Sequence, residues 1–257
     1  MKILFQNKLK EKLTKNIEEP AYGIFIGFPS TQLIEMAAYN GFDVVVLDNE
    51  HGLLSPENME HMVIASENAG ITPLVRVTSS NPTAILKAMD RVAHGVHVPQ
   101  VDSREEAEQV VAAVKYPPMG NRGAAFSMRA AKYGTVPVPE YLAHANNESL
   151  VCIHIESKEA VDNLDEILQV PGIDMVYIGP TDLSVSLGFN GDTEHPEVQK
   201  QVKRIYQSAK KYGVRVGMHT KNKQGALQLK ESGVEYIGLT VTSLINKGFR
   251  TYIEAVK

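Results

Sequence analysis

Four consecutive apolar residues, Val44 to Leu47, run into Asp48, Asn49, Glu50 and His51 and then stop at Gly52. A short β-branched run bounded by a turn signal reads as a buried strand. Ionisable groups at the C-terminal end of such a strand are where α/β enzymes carry chemistry. A histidine there titrates near neutral pH and can serve as a general base. Helix capping by Asp48 or Asn49 is the plainer reading, but it leaves Glu50 and His51 unexplained. Similar groups recur further on. Arg76 interrupts the apolar run Leu74-Val-Arg-Val77, His154 and Glu156 close Leu150-Val-Cys-Ile-His-Ile-Glu156, Asp182 ends Gly179-Pro-Thr-Asp, and His219-Thr220 ends another run.

Each group suggests a chemistry. A buried arginine is costly without a partner. Arg76 reads as a fork for a carboxylate ligand, with a structural ion pair as the alternative. His154 and Glu156 are two residues apart and share one side of a strand. Glu156 and Asp182 come from adjacent strands with no lysine beside them. They suit a hard divalent ion that keeps several waters, or else a carboxylate pair sharing a proton. No cysteine–histidine spacing suggests structural zinc. No lysine in this set offers a Schiff base. The remaining histidines, His61, His94, His97, His144 and His195, read as packing or surface residues.

The elements that must hold these groups alternate along the chain. Strand patterns occur at Tyr22–Phe28, Asp43–Asn49, Pro73–Thr78, Gly95–Val101, Leu150–Glu156, Asp174–Gly179, Val214–His219 and Val234–Leu239. Charged helical patterns such as Ser103–Lys115 and Pro196–Tyr212 separate them, with stop glycines at Gly41, Gly70, Gly213 and Gly233. Eight strand–helix repeats in 257 residues predict a closed (β/α)8 TIM barrel spanning 1–257 as one domain. An open doubly wound sheet is the runner-up, but Gly27-Phe-Pro-Ser-Thr31 lacks its glycine fingerprint. The stretch 116–149 reads as one long loop. It leaves from the N-terminal face, and it would bring Arg122, Arg129 and Lys132 to the site only if it reached the other face. Subunit packing is its alternative use. By topology Asp90, just before strand four, belongs at the N-terminal face.

Composition narrows the partners. The net charge of −4 gives no basic excess, so neither nucleic acid nor an anionic membrane is an expected partner. No run of about 18 apolar residues predicts a membrane span. The N-terminus reads as a short amphipathic helix rather than a signal peptide. The single cysteine, Cys152, lies in an apolar run, which fits a buried thiol and a reducing cytoplasm.

The ordered set Leu47-Asp-Asn-Glu-His-Gly52, Val75-Arg-Val77, Met89-Asp90, Val98-Pro99, Tyr116-Pro-Pro-Met-Gly-Asn-Arg-Gly123, Arg129-Ala-Ala-Lys-Tyr-Gly134, Ile155-Glu156, Asn163-Leu-Asp-Glu-Ile167 and Ile178-Gly-Pro-Thr-Asp-Leu-Ser184 resembles the HpcH/HpaI aldolase family. The resemblance implies a phosphoenolpyruvate/pyruvate-type barrel, commonly a hexamer built as a trimer of dimers, with the last helix exchanged between partners. It implies reversible cleavage of a 4-hydroxy-2-oxo acid to pyruvate, or a close 2-oxo acid, and an aldehyde. On that basis Glu156 and Asp182 would hold Mg²⁺, Mn²⁺ or Co²⁺. Arg76 would stabilise the enolate, and the backbone of Gly179, Pro180, Thr181 and Asp182 would bind the carboxylate. His51, paired with Asp90, would be the base. Arg122 and His154 would join the substrate site. Two positions depart from the family pattern. His154 stands where many members have a pyruvate-binding Gln, and could donate a hydrogen bond or act as a third metal ligand. Gly238-Leu-Thr240 replaces a Gly-x-Asp pattern. The alternatives are a citrate lyase β-like acyl-CoA lyase, for which no basic surface stands out, and a 2-oxo-acid-binding barrel without turnover.

Overall fold

The structure is a computed structural model that describes residues 4–15, 19–91 and 93–257. The chain opens with α1 (Lys8–Thr14). Strands and helices then alternate as β1 (Ala21–Ile26), α2 (Thr31–Tyr39), β2 (Val44–Asp48), α3 (Pro56–Ala69), β3 (Thr72–Arg76), α4 (Pro82–Asp90), β4 (Gly95–Val98) and α5 (Arg104–Val114). A longer connection follows, with a 3-10 turn at Arg129–Gly134 and helix α6 (Val138–Glu148). The second half runs β5 (Leu150–Ile155), α7 (Lys158–Asp162), α8 (Leu164–Leu168), β6 (Met175–Ile178), α9 (Pro180–Ser186), α10 (Pro196–Tyr212), β7 (Arg215–His219), α11 (Lys223–Glu231), β8 (Tyr236–Thr240) and α12 (Val241–Val256).

The eight strands close into one parallel barrel, β1 pairing with both β2 and β8. Every strand expected from sequence is present, within a few residues at each end. The helix starts also follow local chemistry: Ser55, Asn81 and Ser103 each accept a backbone N–H from the first turn of α3, α4 and α5. Gly213, at φ 72°, ends α10 in the left-handed conformation that favours glycine.

Side chains inside the barrel change character along its axis. Val44, Leu74, Leu150, Met175 and Tyr236 are buried in the inner cluster, joined by Leu9 and Leu13 of α1. Helix α1 therefore plugs the N-terminal end; the first three residues of the expected N-terminal helix lie outside the described residues. Phe25, His97, Cys152 and Tyr177 fill the middle. Asp48, Arg76, His154, Glu156 and His219 stand at the C-terminal mouth. Polar groups thus gather where strands end and solvent begins, which is where their desolvation cost is smallest.

One expectation is corrected. The stretch 116–149 is not a loop throughout, because its last part is α6, whose Tyr141, Ala145 and Asn146 are buried. Its two prolines at the start and its polar composition hide the helical period. Asn146 closes the connection on itself, accepting the Tyr116 N–H at 2.7 Å and donating to the Tyr116 carbonyl at 3.0 Å. Among the described residues no helix is long and apolar enough to cross a membrane.

Candidate active site

The parallel register sets Asp48 of β2 beside Arg76 of β3. Arg76 grips that carboxylate with both edges of its fork, Nε to Oδ1 at 2.9 Å and Nη2 to Oδ2 at 2.7 Å. Glu50 Oε2 stands 3.0 Å from Nη1. Burial alone would raise the Asp48 pKa, but the Arg76 hydrogen bonds and charge outweigh it and the pKa is lowered. Burial raises that of Glu50, with Arg76 opposing it and Glu156 adding to it. A guanidinium has five N–H donors, so part of the fork remains for a ligand oxygen. Sequence reasoning gave Asp48 only a helix-capping part. It has two parts, because its Oδ1 also accepts the N–H groups of Glu50 at 3.1 Å and His51 at 3.3 Å.

That turn presents His51 to solvent. Its side chain is 68% exposed, and Nε2 lies 3.9 Å from Glu50 Oε1. Gly52 is required by close approach, since a Cβ there would sit 2.0 Å from the Asp48 carbonyl and 2.6 Å from that of Gly27. The Leu53 N–H reaches the same Gly27 carbonyl at 2.8 Å, so the turn is pressed against the end of β1.

Glu156 lies just beyond β5 and is clamped on both oxygens. Oε1 accepts the Gln100 N–H at 2.9 Å, and Oε2 lies 3.2 Å from His154 Nδ1. Gln100 adopts φ 53°, an uncommon conformation for a residue with a side chain, to aim that N–H. Burial raises the Glu156 pKa, but His154, the Gln100 N–H and Arg76 overcome it, and the carboxylate is held below 4.5. Gly179 lies between the two candidate metal-binding carboxylates. A Cβ there would meet Glu156 Oε2 at 2.7 Å and Asp182 Oδ2 at 3.6 Å. The missing side chain leaves a cradle of hard oxygen donors of the kind Mg²⁺ or Mn²⁺ takes. Among the described residues no third His, Cys, Asp or Glu completes a cluster, so water and substrate oxygens would fill the remaining positions. Asp182 opens α9, with Pro180 at its first position. Pro180 has no N–H, which leaves Thr181 and Asp182 as the donors free of intrahelical acceptors.

His154 is 1% exposed, and its ring nitrogens face Glu156 and His97. It therefore stands behind Glu156 as a hydrogen-bonding residue, and both nitrogens are already engaged. His97, read from sequence as packing, is fully buried and faces the barrel interior. Its position on the inward side of β4, next to Arg76 in the register, is the signal that could have found it. His219 closes the far side of the mouth, with Nδ1 3.3 Å from the Tyr177 hydroxyl. Burial, helped by Arg76 and Lys221, lowers its pKa to about 4 and keeps it neutral.

Asp90 and Arg122 are brought together, but away from this set. Asp90 ends α4, as topology suggested, and pairs with Arg122 at 2.9 Å. The Arg122 guanidinium lies 4.7 Å over the Tyr116 ring. Arg129 pairs with Glu67 at the end of α3, where His94 also reaches Glu67 at 3.3 Å. The connection after α5 thus packs on the N-terminal face of its own barrel. Within one chain neither Asp90 nor Arg122 contacts His51.

Comparison with known proteins shows the family. Residues 21–247 match the family described as HpcH/HpaI aldolase/citrate lyase. The chain is 34% identical over 246 residues to a 2-keto-3-deoxy-L-rhamnonate aldolase of Escherichia coli O9:H4 (strain HS), covering 95% of this chain and 91% of that protein. A crystal structure of an HpcH/HpaI aldolase/citrate lyase family protein from Burkholderia cenocepacia J2315 superposes with a TM-score of 0.92 at 30% identity, covering 98% and 99% of the two chains. A citrate synthase, SbnG, superposes with a TM-score of 0.87 at 31% identity, covering 96% of each. The chain belongs to the HpcH/HpaI aldolase/citrate lyase family and is an aldolase-type carbon–carbon lyase.

Proposed function

We propose that the mouth of the barrel is a divalent-metal-dependent aldolase site that cleaves a 4-hydroxy-2-oxo acid to pyruvate, or a close 2-oxo acid, and an aldehyde. The observation that carries this is the gap at Gly179, flanked by the Glu156 and Asp182 carboxylates within 4 Å. Arg76 stands at the same mouth. Mg²⁺, Mn²⁺ or Co²⁺ held there would supply Lewis acidity to the 2-oxo acid. The residues of the chain do the rest. The N–H groups of Thr181 and Asp182 at the start of α9 bind the substrate carboxylate. Arg76, kept rigid by Asp48 and Glu50, places its remaining N–H groups at the 2-oxo oxygen, where negative charge develops as the C3–C4 bond breaks. His51 takes the C4 hydroxyl proton, the aldehyde leaves, and the proton returned from His51, directly or through water, to C3 of the enolate completes pyruvate. His154 acts through Glu156 and not on the substrate.

Asp90 and Arg122 enter this scheme only from a second copy, because in their own chain they face the other end of the barrel. A homo-oligomer of that kind, a trimer of dimers with exchanged last helices, accords with α12. There only Val241 is buried, while Leu244, Phe249, Tyr252, Ile253 and Val256 are exposed. The whole of 1–257 acts as one domain, and the buried thiol of Cys152 suits a reducing cytoplasm.

The test is pyruvate release from a panel of 4-hydroxy-2-oxo acids, starting with 2-keto-3-deoxy-L-rhamnonate, the compound named in the E. coli relative. Release should vanish after EDTA treatment and return with Mg²⁺, Mn²⁺ or Co²⁺. Full activity in metal-free protein contradicts the reading.

A further inference from the structure

Behind the candidate metal carboxylate lies a second histidine with no role so far. His97 is fully buried in β4, its Nδ1 lies 3.0 Å from His154 Nε2, and its own Nε2 has no partner among the described residues. Tyr177, Phe25 and Tyr236 enclose its ring at centroid distances of 5.2, 5.6 and 5.8 Å. Cys152 Sγ approaches the same Nδ1 only at 3.6 Å. The chain of contacts therefore runs from His97 through His154 to Glu156 Oε2.

Only one assignment of protons satisfies this chain. Burial pushes the His97 pKa well below 6.5, so its ring is neutral and carries one N–H. If that N–H is on Nδ1, it donates to His154 Nε2. His154 then carries its proton on Nδ1 and donates to Glu156, so every N–H of the pair is used. If instead His154 donates from Nε2, the N–H of His97 is stranded on Nε2 in the barrel interior, where no acceptor stands. A buried donor without a partner is costly, which disfavours that arrangement.

We propose that His97 is a positioning residue that fixes the Nδ1–H tautomer of His154 and thereby holds Glu156 Oε2 oriented for a divalent cation. With the Gln100 N–H on Oε1, this completes a two-sided clamp on the carboxylate. Groups that orient a metal ligand from behind typically change metal affinity by 10–100-fold when removed. The proposal rests on the reading of Glu156 as a metal ligand.

The test uses the full chain labelled with ¹⁵N-histidine, with His154 assigned from the His154→Gln spectrum. Long-range ¹H–¹⁵N correlation should show His154 protonated at Nδ1 and bare at Nε2 in the wild type. In His97→Leu that preference should be lost. In His97→Asn, whose amide nitrogen takes the place of Nδ1, it should survive. Calorimetric titration with Mn²⁺ should give a Kd at least 10-fold weaker in His97→Leu and near the wild-type value in His97→Asn. A wild-type His154 protonated at Nε2 overturns the proposal without need of any variant. Unchanged Mn²⁺ affinity in a folded His97→Leu overturns it as well. Wild-type protein that binds no Mn²⁺ refutes Glu156 as a metal ligand, and with it the cation-holding half of the proposal; the tautomer then decides the role of His97 toward His154.

Discussion

Asp48→Asn tests whether Arg76 is held in place for catalysis. The substitution keeps the shape and removes the charge. It turns one oxygen into an amide that faces Arg76 Nη2, a donor against a donor, where a 2.7 Å contact now stands. Breaking a buried ion pair from one side costs about 3–5 kcal/mol. Arg76 keeps Glu50 at 3.0 Å, and its side chain is 14% exposed, so the lower part of that scale applies. We expect a loss of about 3 kcal/mol, which for a chain of this length lowers Tm by roughly 6–12 °C. The misplaced fork should also cost about 10²-fold in kcat, since a displacement near 1 Å has that effect. The dependence on pH gives an independent check. The folded-state pKa of Asp48 lies below its ordinary 3.8, so its contribution to stability is fully present above that value and is lost as pH falls through the folded pKa. The Tm gap between wild type and variant should therefore hold at neutral pH and close below about pH 3.8. Thermal melts across pH, with pyruvate-release kinetics at pH 7, make the measurement. An unchanged Tm and kcat in Asp48→Asn refutes the idea that Asp48 holds Arg76.

Three further outcomes are expected. Gly179→Ala puts a methyl 2.7 Å from Glu156 Oε2, so Mn²⁺ titration should show affinity falling about 10-fold or more while the melt moves little; retained affinity would mean the cation does not sit there. His51→Ala, at an exposed position, should leave the melt unchanged and lower turnover by about 10²–10⁴-fold; wild-type turnover would remove His51 from the mechanism. Gly52→Ala forces a Cβ against two backbone carbonyls and should destabilise by about 3 kcal/mol, read as a lower Tm, whereas a neutral effect would show the turn is looser than its contacts indicate.

The barrel was legible because short apolar strand runs alternate with charged helical patterns, and helix-stopping glycines at Gly41, Gly70, Gly213 and Gly233 stand just before four of the strands. His51, Arg76, Glu156 and Asp182 could be picked out as charged residues at the ends of apolar strands. What pairs with what was not legible. Asp48 looked like a helix cap because its partner lies 28 residues away on the neighbouring strand. Gln100 holds Glu156 through its backbone N–H, which any residue type carries, so its side chain gave no sign. His97 looked inert because a histidine beside apolar residues packs more often than it works. Its position shows only once β4 is placed next to β5. The helix in 116–149 was hidden by prolines, and its packing on the N-terminal face depends on Asn146 and Tyr116 meeting across the fold.

The central claim is that a divalent cation and a 2-oxo acid meet between Glu156, Asp182 and Arg76. Anomalous diffraction from crystals of the full chain grown with Mn²⁺ and pyruvate tests it most directly. We expect one Mn²⁺ peak bridging the carboxylates of Glu156 and Asp182, with the pyruvate carboxylate at the start of α9 and its 2-oxo oxygen toward Arg76. A peak elsewhere, or none at saturating Mn²⁺, would contradict the account.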